Sequence, residues 1–127
     1  MGLDMYAHTI SAELVGDQQV DLKLPETADV DELAYWRKFN HLHGWMHDLY
    51  KAKGGESEVF NCNSVRLMPE DLDKLEIDLK AGLPHRAGFF FGGEEIYPDD
   101  ITATEEFIKA ARLAIADGEA VYYDSWW

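Results

Sequence analysis

Four residues carry the densest chemistry in this chain. Trp36, Asn40, His43 and His47 recur at spacings of four, three and four. On a helix, that spacing stacks an indole, an amide and two imidazoles along one side. Such a stripe suits recognition of a planar or polar ligand. The structural alternative is a half-buried boundary in which Asn40 and both imidazoles are satisfied by neighbouring backbone, as buried polar groups usually are. His43 and His47 also have the i, i+4 separation of two metal ligands on one helix turn. The zinc-peptidase pattern would place Glu directly after the first His, and here that position is Gly44. A third ligand would have to come from afar, from Asp4, His8 or His85. Arg37, a scarce cation in this chain, has the fork to clamp a carboxylate or phosphate, or else to pair with a surface acid.

Other constellations are weaker. Cys62 is the one cysteine, so an intramolecular disulfide is excluded, and the residue reads as a small buried hydrophobe. Its neighbour Asn63 is a further polar contributor to a binding surface. No serine stands in a nucleophile-elbow or SxxK context. Neither phosphate-binding glycine motif is present. Phe89, Phe90 and Phe91 cannot all face one core from one strand, because strand side chains alternate. Glu94, Glu95, Asp99 and Asp100 lack the spacing of a calcium loop and read as a solvated acidic connection. Two aromatics end the chain, Trp126 and Trp127, either docked on the domain or forming a contact surface.

The elements that must position these groups follow from periodicity and punctuation. Residues 3–11 read as a strand, and Val20–Leu24 alternates as a second strand, which together suggest an N-terminal hairpin across Gly16 and Asp17. Asp29 with Glu32 forms a capping-box pattern, predicting a long helix from about Val30 to Lys53. Its core stripe would be Tyr35, Phe39, Leu42, Met46 and Leu49. Gly44 in its middle marks a close contact or a kink. Val59–Leu67 reads as a strand. Pro69 opens a second helix with Leu72, Leu75 and Leu79 on one face. Thr102 with Glu105 caps a third, carrying Phe107, Ile108, Ala111, Ala114 and Ile115 inward, and Val121–Trp127 closes the chain as a strand. The fold class is therefore α+β: a single domain over residues 1–127, with a small, mostly antiparallel sheet and three helices packed mainly on one side.

Composition bounds the partners. The chain has 127 residues and a formal net charge of −14. That balance opposes direct nucleic-acid binding, which needs a basic face, and opposes docking on anionic membranes. No apolar run reaches the ~20 residues that span a bilayer. The N-terminus has no secretory leader pattern, which with the single cysteine leads to an expected cytoplasmic location.

Several segments together resemble a family of small uncharacterised bacterial and bacteriophage proteins. They are the opening Gly2-Leu3-Asp4-Met5-Tyr6, Tyr35-Trp36-Arg37-Lys38 with Asn40, His43 and Trp45, Cys62-Asn63, Gly88-Phe89-Phe90-Phe91-Gly92, and Tyr122-Tyr123 with Ser125-Trp126. The resemblance spans nearly the whole chain and implies a phage or mobile-element setting. Members of that family sometimes carry an automatic phosphoglycerate kinase label, which this chain does not support: it is too short for a two-domain kinase and has no nucleotide loop. The expectation is an accessory protein that binds a small molecule or a host protein without catalysis. Its ligand would meet Trp36, Arg37, Asn40, His43, His47, Asn63 and Trp126. The alternatives are a metal-dependent enzyme using His43 and His47, and an acidic decoy that imitates DNA toward a nucleic-acid-binding protein.

Overall fold

The computed structural model describes residues 2–88 and 91–127. The elements run β1 (Asp4–Ser11), α1 (Ala12–Val15), β2 (Asp31–Arg37), α2 (Asn40–Ala52), β3 (Val65–Leu67), α3 (Pro69–Ala81), α4 (Pro98–Ala116) and β4 (Glu119–Trp126). The strands form one antiparallel sheet in the order β2-β1-β4-β3. This is the α+β architecture that the sequence predicts, with a fourth helix added: α1, a single turn of four residues.

Alternation along β1 and β4 divides the side chains between two faces. Met5, Ala7, Val121 and Tyr123 point into the main core, joined by Trp36 of β2 and by Val65 and Leu67 of β3. There they meet Leu42 and Met46 of α2, Leu72, Leu75 and Leu79 of α3, and Phe107, Ile108 and Ala111 of α4. The α3 leucines fall where the sequence places them. Helix α4 begins at Pro98 rather than Thr102, because Pro at its first position is already preset for the helix. Thr104 lies inside it and turns its hydroxyl back to the Asp100 carbonyl, 2.7 Å away. On the opposite face Ile10, Ala120 and Tyr122 pack with Val15, Leu22 and Leu24. This second, smaller core covers one end of that face.

Three sequence expectations are corrected. No N-terminal hairpin forms: Val20 makes one isolated bridge, to Val65, and the chain around it lines the edge of β3. The strand expected over Val59–Leu67 shortens to Val65–Leu67, because Phe60 and Cys62 take positive φ angles that no regular strand accepts. Most consequential, residues 31–37 are not helical. They pair with β1 from Asp4↔Arg37 to Thr9↔Asp31, with a register shift between Ala7 and His8. The Asp-Glu-Leu-Ala stretch favours helix locally, but propensity is a weak prior and pairing along the free side of β1 overrides it. Lys38, at φ 56°, turns the chain out of the strand, its N–H donating to the Leu3 carbonyl. Helix α2 then starts at Asn40.

Candidate functional site

The break at Lys38 dismantles the predicted stripe. Trp36 sits in β2 and points into the core, 2 % exposed, where its Nε1 donates to Thr104 Oγ1 at 3.1 Å. Asn40 and His43 stay on α2 but are buried. Asn40 Nδ2 donates to the carbonyls of Phe91 and Gly93, while its Oδ1 accepts from the Arg86 N–H at 2.9 Å. Asn40 thus pins the connection between α3 and α4 onto α2. Gly44 serves the same contact: a Cβ there would lie 2.9 Å from the Arg86 Cβ, so the glycine marks close packing and not a kink. Gly92, at φ 94°, passes so near the Lys38 carbonyl that a side chain would collide. Of the three phenylalanines beside it, Phe91 is buried, and Phe89 and Phe90 lie outside the described residues.

His43 Nδ1 shares a hydrogen bond of 2.7 Å with the Tyr123 hydroxyl, deep in the core. Burial, reinforced by the neighbouring His47 and Arg86, lowers its pKa to about 3, so the ring is neutral. His47 is half-buried and stacks on Phe60 at 5.0 Å and 9°, and burial lowers its pKa too. Among the described residues, no three His, Cys, Asp or Glu side chains converge where a metal could be held. The metal pair His43/His47 therefore lacks a third ligand here. Asn63 donates to Asp21 Oδ1 at 2.8 Å. The two terminal tryptophans part company. Trp127 packs edge-on against Phe91 and His43 with its backbone held by Asn61, whereas Trp126 is 67 % exposed.

Two of the predicted residues, Arg37 and Trp126, lie in a different setting: the sheet face left open beyond the smaller core. Register aligns that face in rows across β2, β1 and β4. The first row is Arg37, Asp4 and Trp126; the second is Tyr35, Tyr6 and Asp124. The third is Glu32, His8 and Tyr122. Ring contacts run along the second row, step down β1 and continue along the third: Tyr35 to Tyr6 at 5.3 Å, Tyr6 to His8 at 5.9 Å, and His8 to Tyr122 at 5.3 Å. The last two contacts are stacked, with interplanar angles of 22° and 30°.

Carboxylates stand among the rings. Asp4 Oδ1 accepts from the Tyr35 hydroxyl at 2.6 Å and from Arg37 at 3.3 Å. Asp124 lies 3.4 Å from His8 Nδ1. Burial and then the charges of Asp4, Glu32 and Asp124 raise the pKa of Tyr6, so three anionic groups surround one phenol. The hydrogen bond to Asp4 raises that of Tyr35, and burial followed by the Asp124 charge pushes Tyr122 up to about 12. All three phenols stay protonated at neutral pH. A hollow of about 280 Å3 opens here, lined by Tyr6, His8, Glu32, Cys62, Asp124 and Trp126; Cys62 is exposed and not buried as its residue type predicts, because its positive φ turns it out of any strand.

Another depression, about 330 Å3, lies between α2 and the end of α3. Its one indole is already engaged, Trp45 Nε1 donating to Asp78 at 2.8 Å. The sheet face differs in presenting two exposed rings, Tyr35 and Trp126, beside the half-buried Tyr6 and His8, while Tyr122 is buried at the border with the smaller core.

Sequence reasoning missed Tyr6, His8, Glu32, Tyr35 and Asp124 as one group. A signal was present. The alternate residues Asp4-Tyr6-His8 in β1 and Tyr122-Asp124-Trp126 in β4 put rings and acids where a solvent-facing strand ordinarily carries Lys, Thr or Glu. Comparison with family models, curated proteins and solved structures yields no match. Among the described residues, no helix is long and apolar enough to cross a membrane.

Proposed function

We propose that this protein is a non-enzymatic binding protein whose contact surface is the open sheet face, and not the side of α2. The observation that carries the reading is the run of four rings in contact across three strands, Tyr35, Tyr6, His8 and Tyr122, which leads from the buried Tyr122 to the exposed Tyr35 on a face that, among the described residues, no helix covers beyond the Ile10 end. Exposed aromatic rings in a contiguous set mark interaction sites. Tyr35 and Trp126, 46 % and 67 % exposed, give that set a large apolar area at low conformational cost. The groups placed on the alternative surface are consumed internally: Trp36 by Thr104, Asn40 by three backbone groups, His43 by Tyr123. The ligand is a small molecule or a partner protein.

The test is a fragment screen read by two-dimensional amide NMR. Hits should move the resonances of β1, β2 and β4 together, around residues 4–8, 32–37 and 122–126. Hits that gather instead in the groove between α2 and α3, or a screen with no hits on the sheet, would remove the proposal.

A further inference from the structure

The open face has more anions than cations to meet them. Asp4 is answered by Arg37. Among the described residues, Asp124 has an ion-pair contact only with the imidazole of His8, at 3.4 Å, and Glu32 has none. These two carboxylates border the same hollow, which the rings of Tyr6, His8 and Trp126 line together with Cys62 and Ser125. Their field is felt inside it, since both act on the Tyr6 phenol. Aromatic faces beside carboxylates attract a cation twice, through the ring quadrupole and through charge.

The face already shows how it treats one guanidinium. Arg37 stands in the row next to the hollow, pairing with Asp4 beside Tyr35, whose hydroxyl bonds the same carboxylate. A flat, forked guanidinium lies against rings and pairs with carboxylates in a way that a point-like ammonium does not. A nucleobase also stacks on sheet-borne rings, but it arrives with phosphates that a chain of net charge −14 repels. The same charge draws in a polycation from a distance. The exposed ring of Tyr35 extends the surface past the hollow, which suits an extended segment more than a lone small cation.

We infer that the hollow receives an arginine side chain from a basic segment of a partner protein, its guanidinium resting on Tyr6 and Trp126 and pairing with Asp124 and Glu32. This rests on the open face being the binding surface.

The experiment titrates the protein with a short Gly/Arg peptide, its citrulline counterpart and tetramethylammonium, followed by amide NMR and calorimetry. The arginine peptide should move residues around 4–8 and 122–126, bind more weakly as salt rises, and lose about tenfold in affinity in Asp124→Asn/Glu32→Gln. A melting curve confirms that this variant folds. The citrulline peptide should not bind. Three results would overturn the inference: equal binding of the citrulline peptide, undiminished binding to the double variant, or shifts confined to acidic helices. Binding of tetramethylammonium without the arginine peptide would also overturn it, assigning the hollow to a small organic cation. If neutral fragments occupy the face while no cation does, the inference fails and the binding surface stands. If nothing occupies it, both fall.

Discussion

The two faces of the sheet are made by the same strands and differ only in what alternate residues meet. Tyr122 and Tyr123 show the contrast within one peptide unit. Tyr123 is fully buried, bonded to His43 and enclosed by Phe60. Tyr122 points the other way, stacking on His8 at the border between the smaller core and the open rows. On the inner face Trp36, Asn40, His43 and Tyr123 each have a protein partner. On the outer face Asp124 and Glu32 keep unused capacity, and two large rings meet solvent. The lesson is that polar residue type alone does not mark a site. Asn40 and His43 look like recognition chemistry and are packing, whereas Tyr6, His8 and Asp124 lie scattered on two strands in the sequence and line one hollow.

This contrast can be broken by mutation, most strongly from the inside. Phe107 is 2 % exposed and meets Trp36 edge-on at 5.2 Å. Phe107→Ala should cost about 3–5 kcal/mol in chemical denaturation, since it leaves a cavity beneath the sheet. A loss below about 1 kcal/mol would mean that the inner face is not tightly packed.

A smaller effect comes from pH. His43 is held neutral in the folded chain, with a pKa of about 3 against an ordinary value of 6.5. Above pH 6.5 it is neutral in both states and its contribution is complete. As pH falls below 6.5 the unfolded chain takes up a proton that the folded chain refuses, so stability declines from there toward about pH 3. The slope from this one group is on the order of 1 kcal/mol per pH unit, and His47, also lowered, acts in the same direction. Stability curves between pH 7 and 5, a range taken to sit above most carboxylate titration, should be flatter in His43→Gln. An unchanged slope would show that His43 does not govern it.

The outer face should give the smallest change in stability. Tyr35→Ser and Trp126→Ser, at exposed positions, should each shift stability by about 0.5 kcal/mol or less while weakening ligand binding. A large drop in melting temperature would place these rings in a structural role and collapse the contrast between faces.

Much of the fold was legible from local pattern. The leucine spacing of α3, the inward stripe of α4 and the strands β1 and β4 all follow from periodicity, because each buries one face against one neighbour. Residues 31–37 were not legible. Their composition favours helix, and the partner that makes them a strand lies at Asp4–Thr9, remote in sequence. The candidate site escaped for a related reason: its rings and acids come from three strands, and only register sets Tyr35 beside Tyr6 and Tyr6 beside Asp124.

By itself, then, the sequence determined the charge, the helical stripes and the alternation of each strand, all properties carried by neighbouring residues along the chain. Tertiary structure alone decided that the segment before Lys38 would extend, and that one side of the sheet would stay uncovered. The physical reason is that pairing energy depends on which strand edge is available, and this is settled only when distant segments meet.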